Sequence, residues 1–142
     1  MDGRLLNIPE SVSLALHALK MLAREGGGTL TSKEIAERTG MSANHLSKVL
    51  RRLVVGGALS ASKGPGGGFY LSAEQEKRKL IDVYLLFEPF PFNNGCIYET
   101  SPHCDKRKCV FGTLICDLNK KFFEHFNNTT VGDLRDSDCR KK

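Results

Sequence analysis

Four cysteines, Cys96, Cys104, Cys109 and Cys116, fall within 21 residues, and the 95 residues ahead of them contain none. Thiolates suit zinc, Cu(I) and iron–sulfur clusters. In a reducing compartment such a grouping favours metal, iron–sulfur or redox chemistry over structural disulfides. Seven residues separate Cys96 from Cys104, and four separate Cys104 from Cys109. A zinc ribbon would need two Cys-x2-Cys knuckles, and the sequence has none. The wider spacing lets a loop wrap a larger object, so Cys96, Cys104 and Cys109 are read as ligands of an iron–sulfur cluster. Cys116 falls about 10 Å further along if a helix begins at Cys109. It reads as a small, partly buried hydrophobe, and Cys139 as part of a polar tail. Three thiolates leave one position open, for which His17, Glu10, Ser13, His103 and His125 are candidates. A lone helical histidine is more often structural than a ligand, so partly buried packing is the default for His17.

A second set of residues suits polyanion chemistry. Ser42, Asn44, His45, Ser47 and Lys48 interleave with Leu46, Val49, Leu50 and Leu53 at helical spacing, so the polar set faces away from a buried stripe. Asparagine can read adenine with two hydrogen bonds, and serine and histidine can give single ones. Lys48, Arg51 and Arg52 can hold phosphates. Downstream, Lys63 stands beside Gly64, Pro65 and three further glycines, where the backbone can approach a minor groove or a phosphate closely. A phosphate-binding loop is a poor fit there, since no Lys-Ser/Thr follows and no helix opens.

The elements that must position these residues follow from pattern. Apolar residues from Val12 to Ala23 predict a helix over Pro9–Glu25, with Pro9 in its first turn. Thr31 and Glu34 form a capping box ahead of a short helix that Gly40 ends. Ser42 caps the next helix, which Gly56 and Gly57 end. Two short helices joined by a tight turn make a helix-turn-helix. Ala58–Ser62 and Phe69–Leu71 predict a hairpin wing around the glycine-rich turn. Leu80–Glu88 is a short apolar helix, and the segment from Phe90 to His103 is a loop. A long helix is expected from Cys109 to Phe126, with Phe111, Leu114, Ile115, Leu118, Phe122 and Phe126 on one face. Thr130–Asp133 caps a last turn, and residues 136–142 form a flexible tail.

Composition agrees with this division. The 142 residues carry a net charge of +5, and residues 1–72 hold 9 basic and 5 acidic side chains against 12 and 11 in residues 73–142. A basic first half fits a nucleic-acid partner. No stretch approaches the roughly 18 apolar residues of a membrane span, and no signal-peptide core is present, so a cytoplasmic chain is expected. No catalytic dyad, Cys-x2-Cys redox pair or Ser/His/Asp grouping is found, so a small thiol enzyme or electron carrier is the remote alternative.

Taken together, these residues resemble the Rrf-type family of bacterial winged-helix regulators, which includes IscR-like and NsrR-like members. Leu14–Leu19 resembles the family's first-helix signature. Ser42–Leu53, Gly57–Leu59 and Gly64–Gly68 resemble its recognition helix and wing. Cys96, Cys104 and Cys109 resemble its three cluster cysteines, and Thr129–Leu134 resembles its C-terminal signature. The resemblance implies a mainly α fold with a small β-hairpin wing: a winged helix-turn-helix over residues 1–79, then a cysteine loop and long dimerisation helix over 80–135. It implies a homodimer on a partly palindromic double-stranded operator, with a [2Fe–2S] or [4Fe–4S] cluster reporting cluster supply, redox state or nitric oxide. By position, Asn44, His45, Ser47 and Lys63 match the family's DNA contacts, and His17 matches the first-helix ligand of some relatives. The chain departs from the pattern in three places: the cysteine gaps are uneven, Gly112 stands where IscR-like members have a histidine, and Ser13 stands where NsrR-like members have an aspartate. A DNA-binding regulator with a thiol switch or zinc is the alternative, because Lys106, Arg107 and Lys108 would lower the pKa of the adjacent thiols.

Overall fold

The computed structural model describes residues 8–89 and 109–138. Three helices come first. Helix α1, Glu10–Arg24, buries Val12, Ala15, Ala18, Leu19, Leu22 and Ala23 along one face, the stripe that helical periodicity requires. Pro9 sits at its N-cap, one position earlier than expected. Helix α2, Ser32–Thr39, opens on the capping box: Thr31 Oγ1 accepts from the Glu34 N–H at 3.2 Å, and the Thr31 N–H donates to Glu34 Oε2 at 2.7 Å. That backbone donor, helped by the Thr31 hydroxyl, holds the Glu34 carboxyl below the usual carboxylate range. Helix α3, Ala43–Val55, buries Leu46, Val49, Leu50 and Leu53. Ser42 occupies its N-cap position, but its side chain makes no capping bond there, which corrects the expected cap.

Strands β1, Ser60–Ser62, and β2, Gly68–Tyr70, pair antiparallel with Ala61 opposite Phe69. The α1–α2 connection adds a further bridge on the far side of β2, where Leu30 and Phe69 exchange backbone hydrogen bonds of 3.0 and 2.8 Å. Gly68 lies against that connection: a Cβ on it would stand 2.7 Å from the Leu30 carbonyl oxygen. Four-residue helix α4, Ala73–Glu76, follows, opened by a capping box between Ser72 and Gln75 that the sequence reading passed over. Helix α5, Leu80–Leu85, is shorter than expected and buries Leu80, Ile81, Val83 and Tyr84.

Helix α6 spans Leu114–Asn128. It begins five residues later than expected. The Gly112 N–H bonds the Cys109 carbonyl at 3.0 Å, closing a turn with Gly112 at φ +58°. That left-handed residue breaks the helical run. Only Phe126 of the anticipated apolar face is buried; it packs edge-on to Tyr84 and against Phe122, at ring separations of 5.6 and 4.7 Å. A 3-10 turn, Gly132–Asp136, closes the described chain, opened by the expected Thr130–Asp133 exchange of hydrogen bonds.

The core is continuous from Val12 to Val131 and contains no buried charged group among the described residues. Each fully buried Leu, Ile or Val within it contributes about 1.5–3 kcal/mol of transfer free energy. The C-terminal turn is tied back to α1: Arg135 donates Nε–H to the Ala23 carbonyl at 2.9 Å and Nη2–H to Glu76 at 3.0 Å. These ties fasten the C-terminal turn to α1 and α4.

Candidate nucleic-acid interface

Helix α3 presents its charged and polar side chains on the face opposite its buried leucines. Ser42, Asn44, Ser47, Lys48 and Arg51 are exposed, and His45 is half-buried. Lys48 and Arg51 form no ion pair among the described residues, so their charges are open to phosphate. Ser47 Oγ donates to the Ala43 carbonyl at 2.8 Å, which leaves its lone pairs for an outside donor. His45 Nδ1 lies 3.8 Å from Glu10 Oε1, so the start of α1 sits beside α3. Glu10, considered above only as a metal ligand, is placed there instead.

The wing carries Lys63, Gly64 and Pro65, all exposed. Gly64 and Gly66 adopt φ +90° and +74°, a region that residues with a Cβ rarely enter. A Cβ on Gly67 would meet the Ser62 carbonyl oxygen at 2.6 Å and that of Gly64 at 2.8 Å. The glycines are therefore required by the turn itself, and they leave Lys63 at an exposed tip.

Arg52 is a correction. Helical spacing places it with the phosphate contacts, but its Nε–H donates to the Leu86 carbonyl at 2.7 Å, and its guanidinium lies over the Phe87 ring. It ties α3 to the end of α5. The signal for this was present in sequence only as one more arginine in a basic helix.

Of the metal candidates, Cys96, Cys104 and His103 lie outside the described residues. Cys109 is exposed in the turn ahead of α6. Cys116 is exposed as well, in the first turn of α6, which corrects the expectation that it is partly buried. The late start of α6 explains the difference, because the first turns of that helix stand clear of the core. His17 is also exposed rather than packed. Its Nδ1 lies 2.7 Å from the Ser13 carbonyl oxygen, which can only accept, so Nδ1–H donates there and Nε2 is the nitrogen left for a ligand. That is the arrangement in which a ligating histidine is usually held. His125 is exposed near the end of α6, edge-on to Phe126. Among the described residues, no three His, Cys, Asp or Glu side chains converge as a metal site.

Residues 8–137 match the model of a family described as Rrf2, iron-dependent transcriptional regulator. The chain belongs to the Rrf2 family. Among curated relatives of this Rrf2 chain, the HTH-type transcriptional regulator BadM of Rhodopseudomonas palustris is 32% identical over 83 residues, 58% of this chain and 53% of the relative. The HTH-type transcriptional regulator IscR of Vibrio campbellii is 28% identical over 102 residues, 71% of this chain and 60% of the relative. The chain thus matches a little over half the length of these relatives. Among solved structures, CymR, the global cysteine regulator of B. subtilis, superposes with a TM-score of 0.74 at 23% identity, covering 94% of this chain and all of that one. An IscR from T. potens gives 0.67 at 22% identity, covering 92% and 86%. These likenesses establish the winged-helix fold, mainly helical with a two-strand hairpin. The relatives and structures named here are regulators, and none is named as an enzyme. No helix among the described residues is long and apolar enough to cross a membrane.

Proposed function

We propose that this Rrf2-family chain is a cytoplasmic, dimeric transcriptional regulator that binds a double-stranded operator and carries a cysteine-ligated iron–sulfur cluster. The observation that carries the DNA reading is the exposed face of α3, with Asn44, Ser47, Lys48 and Arg51 backed by four buried apolar residues and flanked by the wing. In this reading Ser42, Asn44, His45 and Ser47 face base edges, Lys48 and Arg51 hold the backbone, and Lys63, Gly64 and Pro65 approach a neighbouring groove.

The dimer reading rests on the start of α6. Val110, Phe111, Leu114 and Leu118 are 92%, 44%, 54% and 38% exposed, an apolar run that a lone chain would leave in water. A second copy of the same helix is the occupant that matches it. Two copies then place two α3 helices on one duplex, which suits a partly palindromic site.

Cys96, Cys104 and Cys109 are the proposed thiolate ligands, and His17 the fourth. The donor chemistry fits: Cys109 is an accessible thiol, and the bond from His17 Nδ1 to the Ser13 carbonyl leaves Nε2 available. A bound iron–sulfur cluster supplies a centre whose charge and integrity change with redox state, nitric oxide or cluster supply. The chain's part is to convert that change into a different relation between the two α3 helices. Residues 1–79 serve DNA recognition, 80–135 sensing and dimerisation, and 136–142 a tail.

Two measurements test this. Selection of binding sites from random duplexes should return a half-palindromic sequence bound with steep salt dependence. Protein purified without oxygen should absorb visible light and contain iron and sulfide, with both lost in a Cys104→Ser variant. Colourless, iron-free protein after reconstitution would sink the cluster reading. The exposed thiols of Cys109 and Cys116 favour, as a second reading, a thiol switch without a cluster. Mass analysis of thiols after peroxide, together with zinc and iron counts, separates the two.

A further inference from the structure

A cleft of about 630 Å³ lies between α1 and the end of α2, and no residue of α3 lines it. Helix α1 lines it with His17, Lys20, Met21 and Arg24, residues that share one face at helical spacing. Arg38 and Met41 enter from α2 and the turn after it. We propose that this cleft binds a small organic dianion, a compound with two carboxylate or phosphate charges on a short apolar body, and that its occupancy tunes DNA binding.

The charge count supports an anion. Three permanent cations, Lys20, Arg24 and Arg38, line the cleft with one carboxylate, Glu25. Glu25 is already taken by Arg38, with Nη1 at 2.7 Å from Oε1. Lys20 and Arg24 have no ion pair among the described residues. They hydrogen-bond instead to neutral backbone carbonyls of the C-terminal segment, Lys20 to Ser137 and Arg24, through Nε, to Arg135. Those bonds orient both side chains without cancelling their charge. They also leave two N–H groups on the lysine and the Nη groups on the arginine free to donate. Met21 and Met41, both partly buried, supply adaptable apolar walls. Convergent donors in a concave, partly apolar site are the ordinary form of a small-molecule site.

The cleft also lies at a mechanically relevant place. It separates α1, the main platform helix, from α2, the first helix of the helix-turn-helix, and the Arg38–Glu25 pair spans it. A dianion bridging Lys20 and Arg24 to Arg38 would compete with Glu25 for that arginine and shift α2, and α3 with it. Linkage then requires that DNA change the affinity for the dianion by the same factor that the dianion changes the affinity for DNA. The binding site stands apart from the DNA reading, and only its effect on operator affinity rests on that reading; His17, the proposed fourth cluster ligand, lines the cleft but is not one of the anion contacts.

The test is titration of the full-length, 15N-labelled protein with succinate and, separately, with inorganic phosphate, at constant ionic strength set by sodium chloride. Saturable shifts at residues 17–24 and 38–41 are expected with succinate. Binding should be at least tenfold weaker in Lys20→Gln/Arg38→Gln, with weaker binding by phosphate, which lacks an apolar body. Lys20→Gln alone, which leaves the Arg38–Glu25 pair intact, should show an intermediate loss and guards against misfolding of the double variant. Shifts that grow linearly, or that saturate equally in wild type and variant, overturn the proposal. So does loss of random-sequence DNA affinity in the variant, which would make the cleft a contact for DNA phosphates. Succinate binding that leaves operator affinity unchanged overturns the regulatory half. A chain that binds no DNA but still binds succinate would sink the DNA reading and leave the anion site standing.

Discussion

Arg52 on α3 and Leu86 at the end of α5 are joined by a 2.7 Å hydrogen bond from Nε to the backbone carbonyl, and a second arginine answers it from the other side. Arg78 donates Nη1–H to the Gly56 carbonyl, also at 2.7 Å. Leu86 is the C-cap of α5 and Gly56 the C-cap of α3. Each helix therefore has a terminal carbonyl satisfied by an arginine from the other's neighbourhood, where charge complements the negative end of the helix dipole. Leu86 also lies against Gly56 so closely that a Cβ there would stand 2.5 Å from its Cδ2. The end of α5, the last described element before the proposed cysteine loop, is thus fastened directly to α3. Replacing Arg52 with Met keeps the aliphatic stem and removes the donor. It should cost about 1–2 kcal/mol, read as a lower urea midpoint with unchanged slope.

Asn44 and the two lysines should separate base reading from phosphate holding. Asn44→Ala should cost about 1–3 kcal/mol on the selected operator and relax choice at one base position. Lys48→Ala and Lys63→Ala should weaken specific and random DNA alike, each lowering the salt slope by about one. Binding isotherms at several salt concentrations check both, and equal losses on both DNAs for Asn44→Ala would refute its reading role.

The wing tolerates no side chain at Gly67. Gly67→Ala drives a Cβ against two backbone oxygens, which cannot move aside as a flexible side chain does, so a loss of about 1–3 kcal/mol is expected. Gly28→Ala is the control, since its nearest neighbour stands at a more relaxed 3.3 Å. Thermal melts of the two variants, with DNA binding measured alongside, should show the larger loss in the first.

Two carboxylates should make the fold acid-sensitive. Glu34 and Asp133 are each held below the ordinary carboxylate range by a backbone N–H, from Thr31 and Thr130 respectively. A depressed folded-state value means a contribution that is present above the unfolded-state value and is lost as pH falls through the folded one. Wild-type melting temperature should therefore drop below about pH 4–5. The drop should be shallower in Glu34→Gln/Asp133→Asn, whose amide oxygens still accept the same bonds.

The α6 face predicts the state of assembly. Leu114→Glu/Leu118→Glu places charge on two exposed apolar positions, so the monomer should lose little stability while the dimer dissociates. Light scattering should report one chain rather than two at micromolar concentration. A persistent dimer would place the interface elsewhere.

Much of this was legible because local chemistry and burial point the same way in the first half of the chain. The stripes of α1 and α3, the Thr31–Glu34 box and the glycine turn at residues 64–67 each carry their own signal, and tertiary packing reinforces it. The rest depended on partners far away in sequence. Nothing local distinguishes Arg52, which faces Leu86, from Arg51, which faces solvent. Helix α4 is too short to show a period, although Ser72 and Gln75 hold its capping signal. The onset of α6 turned on the backbone angle of one residue, Gly112, and the continuous apolar pattern from Val110 onward concealed it. His17 and Cys116 both fall off the apolar stripes of their helices, so periodicity carried a signal for their exposure that the prior for a lone histidine or cysteine outweighed.

The bridge between Leu30 and Phe69 has a bearing on how the protein behaves at high concentration. A two-strand hairpin ordinarily offers two free edges, each a template on which another chain can add a strand. Here one edge is occupied by the α1–α2 connection, leaving β2 in the middle. The remaining edge is the three-residue Ser-Ala-Ser of β1, too short and too polar to nucleate stacking. The hairpin is thereby kept from adding strands of its own kind.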